Sequence, residues 1–276
     1  MIGIKIGGGL GNQMFQYAFG YVVAKKFSTS FYLEKRNQFK LDKYFSLRIL
    51  ENSINSLIKP LYKMQTKLGK IKMYDWEDFG TKTPESFISQ IKDNIYYCGY
   101  FQSEKYFEGF YKDLQKIFKI KKEYIEQFNS KYEKFYKENK VIAIHIRRGD
   151  YINFGDDSLG GKNMTLPISY YTNCLKQIKD ISSYKIIFIS DDIEFVKKEF
   201  GQKENYFFES NNEIIDFQVI LNADKVIMSN SSFSWWASYL NIKATDIYCP
   251  NYWLGFKIGT ENPIGIVCKK WTRLDI

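Results

Sequence analysis

The segment Ile142-Ala143-Ile144-His145-Ile146-Arg147-Arg148-Gly149-Asp150-Tyr151 gathers the only histidine of a 276-residue chain and two of its five arginines. Isoleucine and valine lead into it, so it reads as a buried strand whose polar end emerges at a sheet edge. Ile142, Ile144 and Ile146 share one face of that strand and Ala143, His145 and Arg147 the other, so His145 and Arg147 project the same way. In an open parallel sheet the carboxyl ends of the strands border the ligand crevice, where a His-x-Arg pair can clamp an anion. The plainer account is a solvated strand end, ordinary for one arginine and less so for this cluster.

Three further constellations could join it. Gly7-Gly8-Gly9-Leu10-Gly11-Asn12-Gln13 falls between a strand and a helix, where glycines let backbone amides approach a phosphate. As a dinucleotide fingerprint it fails at Asn12, although Glu34 lies at a suitable distance, and as a Walker loop it lacks Gly-Lys-Ser/Thr. A tight turn with close helix packing explains the loop equally well. Ser190-Asp191-Asp192 ends a strand and begins a helix, so an N-cap comes first, with a metal or sugar-hydroxyl role second. Asp216 sits on an apolar helical stretch. The cluster Ser229-Asn230-Ser231-Ser232-Phe233-Ser234-Trp235-Trp236 follows the next strand, offering hydroxyls and amides to a phosphate or simply a cap. Trp235 and Trp236 read as core. Arg147, Ser231 and Asp216 face one crevice if their strands are neighbours.

The elements that must position these residues follow from periodicity. Ile2 to Ile6, Phe31 to Leu33 and Tyr96 to Phe101 read as strands, with an apolar helix after the glycine loop. A charged helix spans Lys121 to Lys140. Strands near Val141 to Ile146, Lys185 to Ser190, Tyr206 to Phe208, Lys225 to Met228 and Asp246 to Cys249 then alternate with helices, the pattern of a parallel sheet covered on both faces. Two α/β lobes, 1–139 and 140–276, account for this best. The lysine-rich stretch Leu57 to Lys72 reads first as a solvated helix face and second as a surface for a membrane or a lipid-linked substrate.

Composition narrows the classes. The net charge of +9 comes almost wholly from lysine, which suits general solubility and anionic ligands; base-reading arginines, zinc-finger spacing and basic-zipper heptads are missing, so no nucleic-acid partner is expected. Cys98, Cys174, Cys249 and Cys268 are widely spaced with no Cys-x-x-Cys, which fits a reducing compartment. Ile6 to Ala24 carries no charge but is too polar and glycine-rich for a span or leader. The expectation is a cytoplasmic protein with at most peripheral contact at the inner membrane face.

Taken together, the segments GGGLGNQMFQYAFG, HIRRGDY, ISDD and SNSSFSWWASYL, in that order, resemble the α-1,2-fucosyltransferases of glycosyltransferase family 11. The resemblance spans Ile2 to about Leu240. It implies a GT-B-like α/β fold of two Rossmann-type lobes with parallel sheets facing a central cleft, the first on the acceptor side and the second binding GDP-fucose. It further implies an inverting transfer of L-fucose onto a galactose 2-hydroxyl of a glycan acceptor, lipid-linked or free, in bacterial surface-polysaccharide synthesis, with no cofactor and no metal beyond the donor itself. By the same resemblance Arg147 holds the diphosphate and His145 contacts the nucleotide with Arg148. Asp216 reads guanine. Ser231, Ser232 and Phe233 border the phosphates, and Gly9, Gly11 and Asn12 approach the donor from the first lobe, Asn12 with a catalytic part. Asp150, Asp156 and Asp157 stay open as general base. Two other readings remain: a nicotinamide oxidoreductase, from the glycine loop and Glu34, and a non-enzymatic carbohydrate-binding protein, from the abundant aromatics.

Overall fold

The computed structural model describes residues 1–34, 39–47, 49–75 and 82–276. The stretch Asn37 to Glu85, which the sequence offers as the source of acceptor contacts, falls partly outside them, at 37–38, 48 and 76–81. Two units emerge: Met1–Lys121 with Pro263–Ile266, and Lys122–Asn262 with Val267–Ile276.

In the first unit the order is β1 (Ile2–Lys5), α1 (Leu10–Lys26), β2 (Phe31–Glu34), α2 (Leu41–Tyr44), α3 (Ile49–Lys67), β3 (Lys72–Asp75), α4 (Pro84–Ile88), β4 (Ile95–Cys98) and α5 (Tyr111–Ile117). Its four strands are parallel, in the order β2-β1-β4-β3. The uncharged stretch Ile6 to Ala24 is explained by α1, which is buried on nearly every side from Leu10 to Ala24. Buried helices read as apolar all round. Strand β3 shows no readable period because this edge strand has only four residues, with Lys72 and Asp75 at its ends. Near the end of the chain, Gly265 returns to this unit and its carbonyl accepts the Ser103 hydroxyl at 2.7 Å.

The second unit contains α6 (Lys122–Glu138), β5 (Lys140–Ile146), α7 (Ile168–Gln177), β6 (Tyr184–Ser190), α8 (Ile193–Phe200), β7 (Tyr206–Glu209), α9 (Glu213–Leu221), β8 (Lys225–Ile227), α10 (Ser232–Leu240), β9 (Asp246–Pro250) and β10 (Thr272–Leu274). The division therefore falls at Lys121, not at Asn139. Helix α6 belongs with the second unit because it packs on α9: Tyr136 donates its hydroxyl to the Val219 carbonyl at 2.8 Å, and Gln218 donates to the Tyr124 carbonyl at 2.9 Å.

All six strands of this unit are parallel, in the order β10-β9-β8-β5-β6-β7. Chain order runs outward from β5 in one direction, then restarts beside it with β8. The topological switch point thus lies between β5 and β8, the place where doubly wound sheets open a crevice at the strands' carboxyl ends. The expected alternation along β5 holds. Ile142, Ile144 and Ile146 join Ile186 and Phe188 of β6 and Tyr170, Tyr171 and Cys174 of α7 in one apolar cluster. Trp235 and Trp236 are fully buried. The four cysteines are free and buried.

Candidate active site

At the carboxyl end of β5 the chain leaves the sheet with Arg147, whose guanidinium lies between two carboxylates. Its Nη2 meets Asp150 Oδ1 at 2.7 Å and its Nη1 meets Asp191 Oδ2 at 3.0 Å. Asp191 comes from the loop after the neighbouring strand β6, and its other oxygen accepts the Arg148 backbone N–H at 2.9 Å. One carboxylate thus ties the side chain of Arg147 to the main chain of the next residue. A β-carbon on Gly149 would come within 2.5 Å of Asp191 Oδ2, the oxygen that meets Arg147, so the absence of a side chain at 149 is what admits Asp191. The two carboxylates differ in exposure, 66% for Asp150 against 28% for Asp191. Asp150 is therefore the more weakly held and more easily displaced partner of Arg147, and Asp191 the firmer one.

Asp191 and Asp192 were read together as a cap, and they separate. Asp192 does cap α8, accepting the Phe195 N–H, and also takes the Arg148 Nε at 3.0 Å. The Arg148 guanidinium then stacks 3.3 Å from the Phe195 ring centre. Arg148 is engaged on the α8 side of the strand end, a different use from the nucleotide contact expected of it. Both aspartates are ion-paired to arginine, and among the described residues no group of three His, Cys, Asp or Glu side chains could hold a metal ion.

His145 lies across the switch point from the loop after β8. Its Nδ1 is 2.8 Å from the Ser229 hydroxyl, and its ring packs 5.4 Å from the ring of Phe233. Burial, with Arg147 nearby as a second cause, pushes the imidazole down to about 3. Such a ring stays neutral at physiological pH and is far too weak a base to take a hydroxyl proton. It can offer a ligand one hydrogen bond at Nε2. Ser231 stands at the N-cap of α10 but its side chain makes no capping bond. The N–H groups of Phe233 and Ser234, the ones a capping side chain bonds, therefore receive nothing from the Ser231 hydroxyl. Behind them, Tyr151 donates to the Asn230 carbonyl at 3.0 Å and Asn230 donates to the Met164 carbonyl at 2.9 Å. These bonds fasten the loop after β5 to the loop after β8.

Asp216 belongs to a neighbouring but separate set. It accepts from Asn211 at 2.8 Å, near Glu209 and Lys131, and its carboxyl is raised by burial to about 6. Its connection to His145 runs through rings: Phe217 packs 5.6 Å from Phe233. Among the described residues Asp216 forms no hydrogen bond or ion pair with Arg147 or Ser231, and the two groups meet at Phe217 and Phe233.

In the first unit the glycine loop is organised by amides. Gln16 accepts the Gly7 N–H at 2.9 Å and donates to the Gly99 carbonyl at 3.0 Å, bridging the loops after β1 and β4. Gln102 donates to Asn12 Oδ1 at 2.8 Å, leaving the Asn12 amide nitrogen over Gly8. Gly8 has φ +76°, and a β-carbon there would meet that nitrogen at 2.7 Å, so Gly8 is the turn glycine. Gly9 is different: nothing lies within 4 Å of where its β-carbon would be. Gly9 at the N-cap and the buried Gly11 open α1 with no capping side chain and no acidic residue in the first turn. Glu34, which a nicotinamide cofactor would need for its ribose, instead accepts the Tyr96 hydroxyl.

Of the three aspartates left open as base, Asp156 caps its own turn, accepting the Ser158 N–H and hydroxyl, and these bonds hold its carboxyl below the ordinary range. Asp157 is exposed. Only Asp150 touches Arg147. The sequence reading missed Asp191 as the partner of Arg147, and it missed Ser229, Gln16 and Gln102 as organisers. Asp191 carries a sequence signal, since Ser190-Asp191-Asp192 ends the strand beside β5.

A family model described as glycosyl transferase family 11 matches residues 1–256. An alpha-1,2-colitosyltransferase of Escherichia coli is 28% identical over 98% of both chains. The O-antigen biosynthesis glycosyltransferase WbnK of Escherichia coli is 26% identical, over 86% of this chain and 89% of that protein. Among solved structures, NodZ alpha-1,6-fucosyltransferase soaked with GDP-fucose superposes with a TM-score of 0.56 at 13% identity, covering 89% of this chain and 93% of that one. The last likeness is one of fold, and the fold is GT-B-like. With sequence similarity running through both units and the arginine motif in place at the sheet's switch point, this glycosyltransferase belongs to glycosyl transferase family 11.

Proposed function

We propose that the chain transfers L-fucose from GDP-fucose to the 2-hydroxyl of a galactoside, with inversion, in the assembly of a surface polysaccharide. The observation that carries this reading is Arg147, held between Asp150 and Asp191 beside the neutral His145 and the uncapped start of α10. The acceptor oxygen attacks fucose C1, the bond from C1 to the β-phosphate oxygen breaks, and GDP leaves with the electron pair. Arg147 balances the charge that develops on the departing phosphate. Its exchange of Asp150 for the diphosphate frees that carboxylate, which makes Asp150 the favoured acceptor of the hydroxyl proton. Ser231, Ser232 and Phe233 hold the phosphates, His145 contacts the nucleotide, and Asn12, with Gly9 and Gly11, serves the donor from the first unit. No cofactor takes part beyond the donor. The acceptor is a glycan, free or lipid-linked, used on the cytoplasmic side.

The direct test adds GDP in the presence of a chelator. A rise in melting temperature on the order of 5 °C at about 100 times the Kd is expected, and NAD should produce none. Incubation with GDP-fucose and a panel of galactosides, followed by linkage analysis, should yield 2-linked fucose. Unchanged melting with GDP, or fucose at another position, would refute the assignment. A second reading has one specific support, the colitosyltransferase relative that matches 98% of the chain: the transferred sugar is then colitose, and the two activated sugars compared at equal concentration separate the cases.

Asp216 adds a pH signature. As the guanine reader it must be ionised to accept the base's N–H groups, and its carboxyl stands at about 6. Above that pH the carboxylate form prevails and binding is full. Below it the protonated form takes over, and affinity for GDP-fucose should fall about tenfold per pH unit. Titration calorimetry between pH 5 and 8 should show this, and Asp216→Asn should flatten the profile at low affinity. A wild-type profile without a break near pH 6 would remove Asp216 from the guanine site.

A further inference from the structure

The end of α3 and strand β3 carry a surface that holds none of the donor-site residues named above. Its inner side is accounted for: Ile58, Tyr62 and Ile71 form a buried cluster against Met1, Tyr32 and Tyr96, with the Tyr32 and Tyr62 rings stacked at 4.5 Å. Its outer side is not. Leu61, Met64 and Leu68 are exposed at 42%, 51% and 62%, and their spacing puts them on one stripe of the helix. The Leu68 N–H donates to the Met64 carbonyl, so the winding reaches that residue. Met73 is exposed at 71% on the edge strand β3. Its register partner is Tyr96, so it points to the sheet face that α3 covers. Four of the nine exposed large apolar side chains among the described residues fall between Leu61 and Met73, which makes this a patch and not a scatter.

Lysines accompany the patch. Lys59, Lys63 and Lys67 recur every four residues along a second stripe, Lys70 and Lys72 follow, and all five are exposed. From Lys59 to Tyr74 there is no carboxylate in the chain, and none of the five lysines forms an ion pair with a described carboxylate. A protein partner fits poorly, because lysine is depleted at protein interfaces. Nucleic acid fits poorly too, since the stretch lacks arginine and an apolar stripe gains nothing from a phosphate backbone. Apolar side chains flanked by lysines that pair with no described carboxylate match the boundary between headgroups and acyl chains.

We propose that this surface docks the protein on an anionic phospholipid bilayer, with Leu61, Met64, Leu68 and Met73 at the headgroup–acyl boundary and the lysines among the phosphates. The inference stands apart from the donor chemistry, and its test measures no sugar transfer. The full chain is sedimented with vesicles of phosphatidylcholine alone and with vesicles in which about a third is phosphatidylglycerol. Binding to the anionic vesicles only, released by added salt, is expected. The triple variant Leu61→Ser, Met64→Ser, Leu68→Ser and the double variant Lys63→Glu, Lys67→Glu should each bind on the order of tenfold more weakly, with unchanged melting temperatures. Lys134→Glu, Lys137→Glu on α6, the same change of charge elsewhere, should keep wild-type binding. Failure to bind anionic vesicles overturns the proposal. So does equal binding to both vesicle types, an equal loss in the α6 variant, or capture of a soluble protein by this surface without vesicle binding.

Discussion

Arg147→Ala lowers turnover with GDP-fucose by about a hundredfold to a thousandfold, the range found when one preorganised charge is removed from a transition state. The loss should fall on kcat more than on KM, because charge on the departing phosphate is greatest in the transition state. The fold should survive. The Arg147 side chain is a third exposed, and solvent-screened ion pairs of this kind contribute roughly 0–1 kcal/mol each, so the melting temperature should move by only a few degrees. Arg147→Lys keeps the charge but loses the planar pair of donors that meets Asp150 and Asp191 on separate nitrogens, and should restore only a small part of the rate. Steady-state kinetics beside calorimetry decides the matter: full activity in Arg147→Ala would strip Arg147 of the diphosphate role.

Asp191→Ala should come next in size, with kcat falling on the order of tenfold to a hundredfold, the cost of misorienting a group that must be held within a fraction of an ångström. Asp191 acts through Arg147 and is a positioning residue. Asp191→Asn tests that role, since an amide can still accept the Arg148 N–H but presents no second carboxylate oxygen to Arg147. A merely structural Asp191 would tolerate asparagine. The independent check is Gly149→Ala, which removes no charge yet places a methyl carbon within 2.5 Å of the same carboxylate. It should reproduce much of the kcat loss, and in Gly149→Ala, Asp191→Ala the two effects should fall well short of adding. Additive losses would show that Gly149 and Asp191 act on different things.

Much of the second unit could be read before any coordinates. Strand β5, its two faces and the shared direction of His145 and Arg147 follow from a period of two, and burial of Ile142, Ile144 and Ile146 in one cluster agrees. Helix α10 and its core tryptophans were equally legible. In the first unit, Gln16 and Gln102 were unreadable as organisers because their partners, the Gly99 carbonyl and Asn12, belong to different segments brought together by the order β2-β1-β4-β3. The domain boundary was misplaced for a related reason. The aromatic side of α6 announces that the helix packs on something, and only its bonds to Val219 and Tyr124 reveal that the something is α9.

The sequence by itself determined the family and the parallel α/β class, and it singled out candidates for anion binding, because these rest on local pattern and on residue type. Tertiary structure decided how those residues are used. Asp191 reaches Arg147 because β6 lies beside β5, and Ser229 reaches His145 because the chain crosses over and places β8 on the other side of β5. Asp216 pairs locally with Asn211, and only the packing of α6 brings Lys131 near it. Side-chain period specifies which face a residue points to but carries no information on which strand becomes its neighbour. Burial, which leaves His145 neutral and raises Asp216, depends on that neighbour order as well.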